Sequence, residues 1–163
     1  MSLTFNADEI FEMAEDIERN AGIFYRENAE KSKDKKIKQL FLKFAKMEDS
    51  HLVIFQNMRT KLSELEKAET AYDPDSEAVL YLKAMADSHG YEGLIGPNKK
   101  LTGKETPKKI IEIALNSEKE SVLFYFGLKE FVPVNAGREK VEAVILEEIN
   151  HITTLLNYLK EMS

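Results

Sequence analysis

The most chemically loaded residues of this chain recur one hundred positions later. Glu18, Phe24, Tyr25, Glu48 and His51 return as Glu118, Phe124, Tyr125, Glu148 and His151, with no insertion or deletion needed to align them. Two of the three histidines belong to the repeat, and each follows a glutamate by three positions. A duplicated unit that retains four carboxylates and two imidazoles, while most surface positions diverge, must use those side chains in both halves. That pattern reads as a two-fold symmetric metal site.

Helical periodicity places these residues. Ile10, Phe11, Ala14, Ile17, Ala21, Phe24 and Tyr25 fall at steps of three and four, which marks one buried helical face. Asn6 with Glu9 resembles the start of that helix. A polar run, KSKDKK, interrupts it near Lys33, and Ile37, Leu40, Phe41, Phe44, Ala45, Leu52, Phe55, Met58 and Leu62 restore the period. In the second half, Thr106-Pro107 is an N-cap with proline at the first helical position. Ile110, Ala114, Leu115, Val122, Tyr125 and Leu128 follow, the segment 132–137 breaks the helix, and Val141, Val144, Ile145, Leu155 and Leu159 carry the last one. No stretch alternates long enough to suggest a strand.

The chain of 163 residues is thus expected to form a single all-α domain, with helical hairpins over about 7–68 and 107–161. The crossover between them, about 72–105, is expected to hold a short helix from Glu77 to Asp87 and an irregular return marked by Gly90, Gly93, Gly96 and Gly103. Four helices with one long crossover have ferritin-like connectivity, with the second and third helices parallel.

Numbering alone brings the repeated acids together. Glu18 and Glu48 lie fifteen residues either side of position 33, in the first turn. Glu118 and Glu148 lie fifteen residues either side of Pro133, in the second. Residues equidistant from a hairpin turn share a height, here roughly 22 Å from it at 1.5 Å per residue. All four glutamates are then expected in one layer at mid-bundle. His51 and His151, each three residues past a glutamate, join them on the same face. That face is apolar, so uncompensated carboxylates there would carry a heavy desolvation cost. No Lys or Arg occupies the expected layer, and two divalent cations would balance four carboxylates.

This arrangement, a glutamate from each of two helices and Glu-x-x-His from the other two, is that of ferritin-like di-iron or di-manganese carboxylate proteins. More narrowly, ERNAGIFY (18–25) and EKESVLFY (118–125), each with Glu-x-x-His thirty residues on, resemble the rubrerythrin-type family over both hairpins. The resemblance implies Glu18, Glu48, His51, Glu118, Glu148 and His151 as ligands of two iron ions, with Glu48 and Glu148 bridging. Manganese and zinc suit the same donors. It also implies Tyr25 and Tyr125 as hydrogen-bond donors to ligand carboxylates; both are equally core aromatics beside Phe24 and Phe124. The implied activity is peroxide or dioxygen reduction with electrons from an external donor protein, in a role suited to oxidative stress. Iron storage or ferroxidase activity, and a structural metal-bound bundle, are the alternatives.

Two departures bear on that activity. Rubrerythrins carry a rubredoxin-like domain that binds iron through cysteines, and this chain has no cysteine. The further glutamate that such proteins tend to carry three residues after the third-helix ligand is here Ser121. Glu120 lies about 200° around the helix and does not replace it.

Absence of cysteine excludes disulfides and thiolate sites and fits a reducing compartment. The start, MSLTFNADEIFEMAED, turns acidic without an apolar core, so no signal peptide and a cytoplasmic location are expected. No apolar run reaches a membrane span. A net charge of −6 without a basic stripe argues against nucleic acid. Apolar residues on more than one face, such as Phe11 and Phe41, suggest a helical homodimer. His89 reads as an exposed loop residue and Lys99-Lys100 as solvated charge.

Overall fold

The structure of the protein is a computed structural model that describes residues 7–62, 81, 104–132 and 134–162. Among them run four long helices: α1 (Ala7–Lys31), α2 (Lys35–Thr60), α3 (Pro107–Phe131) and α4 (Arg138–Glu161). A single 3-10 turn, Val134–Ala136, precedes α4. The described residues contain no strand.

Each helix start has a local cause. The first turn of α1 carries Asp8 and Glu9, and its last carries Lys31, which complements the helix dipole at both ends. Asp34 caps α2 by accepting from the amides of Lys36 and Ile37 at 2.7 and 3.3 Å. Thr106 caps α3 by accepting from the Lys109 amide at 3.2 Å, with Pro107 next. No side chain caps α4. Gly137 precedes it with φ 103°, a left-handed conformation that favours glycine, and Arg138 Nε ties the turn by donating to the Val132 carbonyl at 2.7 Å.

Two apolar clusters give the topology. One joins the N-terminal half of α1 (Ile10 to Ile17) to Phe55 and Met58 late in α2, Phe124 to Leu128 late in α3, and Val141 to Ile145 early in α4. The other joins Phe24, Tyr25 and Ala29 late in α1 to Ile37 to Ala45 early in α2, Ile111 to Leu115 early in α3, and Leu155 late in α4. Hence α1 runs antiparallel to both α2 and α3, while α2 and α3 are parallel. This is the expected ferritin-like bundle. Phe11 and Phe41 are buried, one in each cluster, so neither supplies the outer apolar face expected of it.

Tyr81, within the crossover, packs against the first cluster and donates its hydroxyl to the Leu123 carbonyl at 2.6 Å. The rest of the expected Glu77–Asp87 helix, the four crossover glycines, His89, Lys99-Lys100, Asn6 and Pro133 lie outside the described residues.

The Thr106→Ala substitution should cost about 1 kcal/mol through loss of the α3 cap. Thermal unfolding should report it as a Tm lower by about 2–4 °C.

Candidate metal centre

Between the two apolar clusters lies a layer of ionisable side chains. Glu18 comes from α1, Glu48 and His51 from α2, Glu118 from α3, and Glu148 and His151 from α4. All six are 0–4% exposed. The layer forms where it does because each glutamate is equidistant from its hairpin turn and lies on the stripe its helix buries. The turn between α1 and α2 does centre on Lys33.

The two histidines divide the layer into halves. His51 directs Nδ1 at Glu148 Oε1 (3.0 Å), Glu48 Oε2 (3.1 Å) and Glu18 Oε2 (3.5 Å). His151 directs Nδ1 at Glu148 Oε2 (3.0 Å), Glu48 Oε1 (3.3 Å) and Glu118 Oε1 (3.6 Å). Glu48 and Glu148 therefore give one oxygen to each half, whereas Glu18 and Glu118 each serve one. In both groups of four, the potential ligand atoms lie within 4.8 Å of one another.

Hydrogen bonding matches this crowding only in part: His51 Nδ1 pairs with Glu48 Oε2 at 3.1 Å. Glu48 Oε1, Glu148 Oε2 and both ring nitrogens of His151 are buried without a hydrogen-bond partner. Buried polar atoms are rarely left so, because each keeps its desolvation cost. Potential ligand atoms that crowd together yet leave these four unpaired suit coordination of a cation. The donor set, carboxylate oxygen with imidazole nitrogen, fits that use.

Tyr25 and Tyr125 are both fully buried. Their hydroxyls cross the bundle: Tyr25 donates to Glu118 Oε1 and Tyr125 to Glu18 Oε1. Each tyrosine stands seven residues after the glutamate of its own helix. Helical side chains lean toward the N-terminus, so both hydroxyls reach back to the layer, and the antiparallel partner presents its glutamate there.

Electrostatics in the cluster follow from crowding. Burial, then the charge of Glu148, pushes the Glu118 carboxyl up to about 8. Burial, then Glu148 and Glu48, raises Glu18 well above the carboxylate range. Burial and Glu48 also press on Glu148, but the neighbouring imidazoles of His151 and His51 prevail and hold it below the usual carboxylate range. Burial opposes charge on His151, yet Glu118, Glu148 and Glu48 push it up to about 12. His51 is raised further against the same opposition by Glu148, Glu18 and Glu48. Burial and the facing glutamates raise both tyrosines, so they remain neutral donors.

Two contacts were not legible in the sequence pattern. Glu147 Oε2 lies 3.0 Å from His51 Nε2, and Phe44 stacks on the His151 ring with centroids 4.0 Å apart. The doubled acid Glu147-Glu148 beside Met47-Glu48 was the available signal for the first. Ser121, at the position of the absent further glutamate, is buried and donates to the Ser117 carbonyl at 3.1 Å.

No protein-family model and no curated protein matches the chain. A solved structure does: a candidate ferritin-like diiron-carboxylate protein from Thermotoga maritima, 25% identical, with a TM-score of 0.72 over 100% of both chains. That likeness agrees with the ferritin-like bundle and supports the diiron-carboxylate family. Nothing in it is particular to the rubrerythrin type. No described helix is long and apolar enough to cross a membrane.

The cluster sets a direction for stability against pH in chelator-treated protein. Folded Glu118 keeps its proton to about 8, against an ordinary 4.5, so the folded state binds more protons between these values and stability falls as pH rises through them. His51 and His151, raised above 6.5, act in the same sense above neutrality. Melting curves from pH 5 to pH 9 should show a steadily lower Tm, and Glu118→Gln should flatten the slope below pH 8.

Proposed function

We propose that this chain is a single-domain non-haem di-iron carboxylate protein, a rubrerythrin-like oxidoreductase that reduces peroxide or dioxygen with electrons from a separate donor. One observation carries the reading: two buried groups, each of one histidine and three glutamates, share Glu48 and Glu148. Such sharing suits a dinuclear centre with Glu48 and Glu148 bridging, and Glu18, His51, Glu118 and His151 as terminal ligands. Two divalent cations would bring four positive charges to four carboxylates and would occupy the space the orphaned atoms face. Oxygen donors with two imidazoles suit Fe(II), accept Mn(II), and hold Zn(II) without redox activity.

Bound iron would supply reversible one-electron chemistry at each ion, hence two electrons per centre. The protein's own residues do the remaining work. Tyr25 and Tyr125 each hold a proton on the hydroxyl and fix the orientation of Glu118 and Glu18. Because burial keeps them neutral, each offers a donor and adds no negative charge. The apolar clusters above and below exclude bulk water, which strengthens every charge interaction inside. Metal binding must displace the protons held in the layer, so uptake should acidify a weakly buffered solution.

A second reading, iron binding and oxidation without peroxide turnover, is favoured by Ser121. Its hydroxyl is spent on the Ser117 carbonyl, so this position adds no fifth carboxylate to the four in the cluster. A homodimer and a cytoplasmic setting belong to the same proposal. Exposed apolar side chains such as Leu42, Val53, Phe126 and Leu146, not Phe11 and Phe41, are what a second copy could cover.

Elemental analysis should find about two metal ions per chain, and Glu148→Ala, which takes an oxygen from both halves, should reduce this to one or fewer. Protein loaded anaerobically with Fe(II) should be oxidised by peroxide faster than free iron; equal rates would sink the oxidoreductase reading. Repeated turnover with an added reductant supports the peroxidase, and a single oxidation without turnover supports the second reading.

A further inference from the structure

The hundred-residue repeat breaks at two positions that touch the centre. Glu147 precedes Glu148, whereas Met47 precedes Glu48. The Glu147 side chain is half-exposed, and its Oε2 lies 3.0 Å from Nε2 of His51, the ring nitrogen opposite the one facing the glutamate cluster. His151 has no such partner. Its Nε2 is buried without a hydrogen bond among the described residues, and its ring stacks on Phe44 at 4.0 Å with planes 23° apart. The repeat places Val144, not an aromatic ring, at the position equivalent to Phe44.

We propose that the two metal positions are unequal, with Glu147 positioning His51 so that Glu18, Glu48, His51 and Glu148 form the tighter half. This rests on the dinuclear reading above. A neutral imidazole has one lone pair. A carboxylate that accepts Nε2–H keeps the proton there, leaves Nδ1 free toward the cluster, sets the ring's orientation and makes it a better donor to a cation. Phe44 holds the plane of His151 by packing but accepts nothing from its Nε2–H. The half formed by Glu48, Glu118, Glu148 and His151 therefore lacks the support that its twin receives. Glu147 touches no expected ion; it acts through His51.

Anaerobic titration of chelator-treated protein with Co(II), followed by absorption and by the ring resonances of 15N-labelled histidine, tests this. Wild type should take up two ions in separable steps whose Kd values differ by about 10–100-fold, the first step shifting the His51 ring. Glu147→Ala should weaken the first step by a similar factor and merge the two. Glu147→Gln, whose amide oxygen still accepts from Nε2–H, should recover part of the separation. Equal steps in the wild type, a first ion that shifts His151, or a Glu147→Ala titration superimposable on wild type overturns the inequality and leaves a two-ion centre standing. Failure of the wild type to take up two ions overturns the dinuclear reading, and this proposal with it.

Discussion

Four carboxylates and two imidazoles removed from water in a single layer are the constraint on which the rest of the bundle depends. No chain gathers such groups at its centre without compensation, because every one of them loses hydration that apolar neighbours cannot return. The bundle answers by surrounding the layer with its own charges and donors. Two imidazoles face the glutamates, two tyrosine hydroxyls cap them, and among the described residues no lysine or arginine pairs with them. Apolar clusters on either side close the layer off. The polar stratum thus divides the core in two.

The same layer links the two hairpins. α1 packs along α2, and α3 along α4, as each turn dictates. Besides the two apolar clusters, specific polar pairs join the hairpins: Tyr25 with Glu118, Tyr125 with Glu18, and His51 with Glu148. Each joins residues far apart in sequence. The groups that face a prospective cation are therefore also those that set one hairpin against the other, and the site and the fold share one set of interactions.

Much of this was legible before any coordinates. The Thr106-Pro107 start, the break near Lys33 and the equal spacing of glutamates about each turn follow from local chemistry and helical period. Those signals place Glu18, Glu48, Glu118 and Glu148 in one layer because a straight helix converts residue number into height. Other features were not legible. Phe11 and Phe41 widen the apolar face of their helices, and a helical wheel cannot tell whether such a residue meets the second hairpin or a second copy. The partners of Tyr25 and Tyr125 lie across the bundle, not along it, so no spacing within one helix reveals them.

Sequence by itself determined an all-α chain, its ferritin-like connectivity and the six residues that converge, because periodicity and the hundred-residue repeat are properties of order along the chain. Tertiary structure decided how those residues face one another. Glu48 and Glu148 divide their oxygens between two halves, while Glu18 and Glu118 do not. It also decided that the halves differ, Glu147 reaching His51 while His151 lies against Phe44. The reason is physical: which side of a helix a residue occupies is set locally, but which atom it meets there depends on how two hairpins rotate and settle against each other.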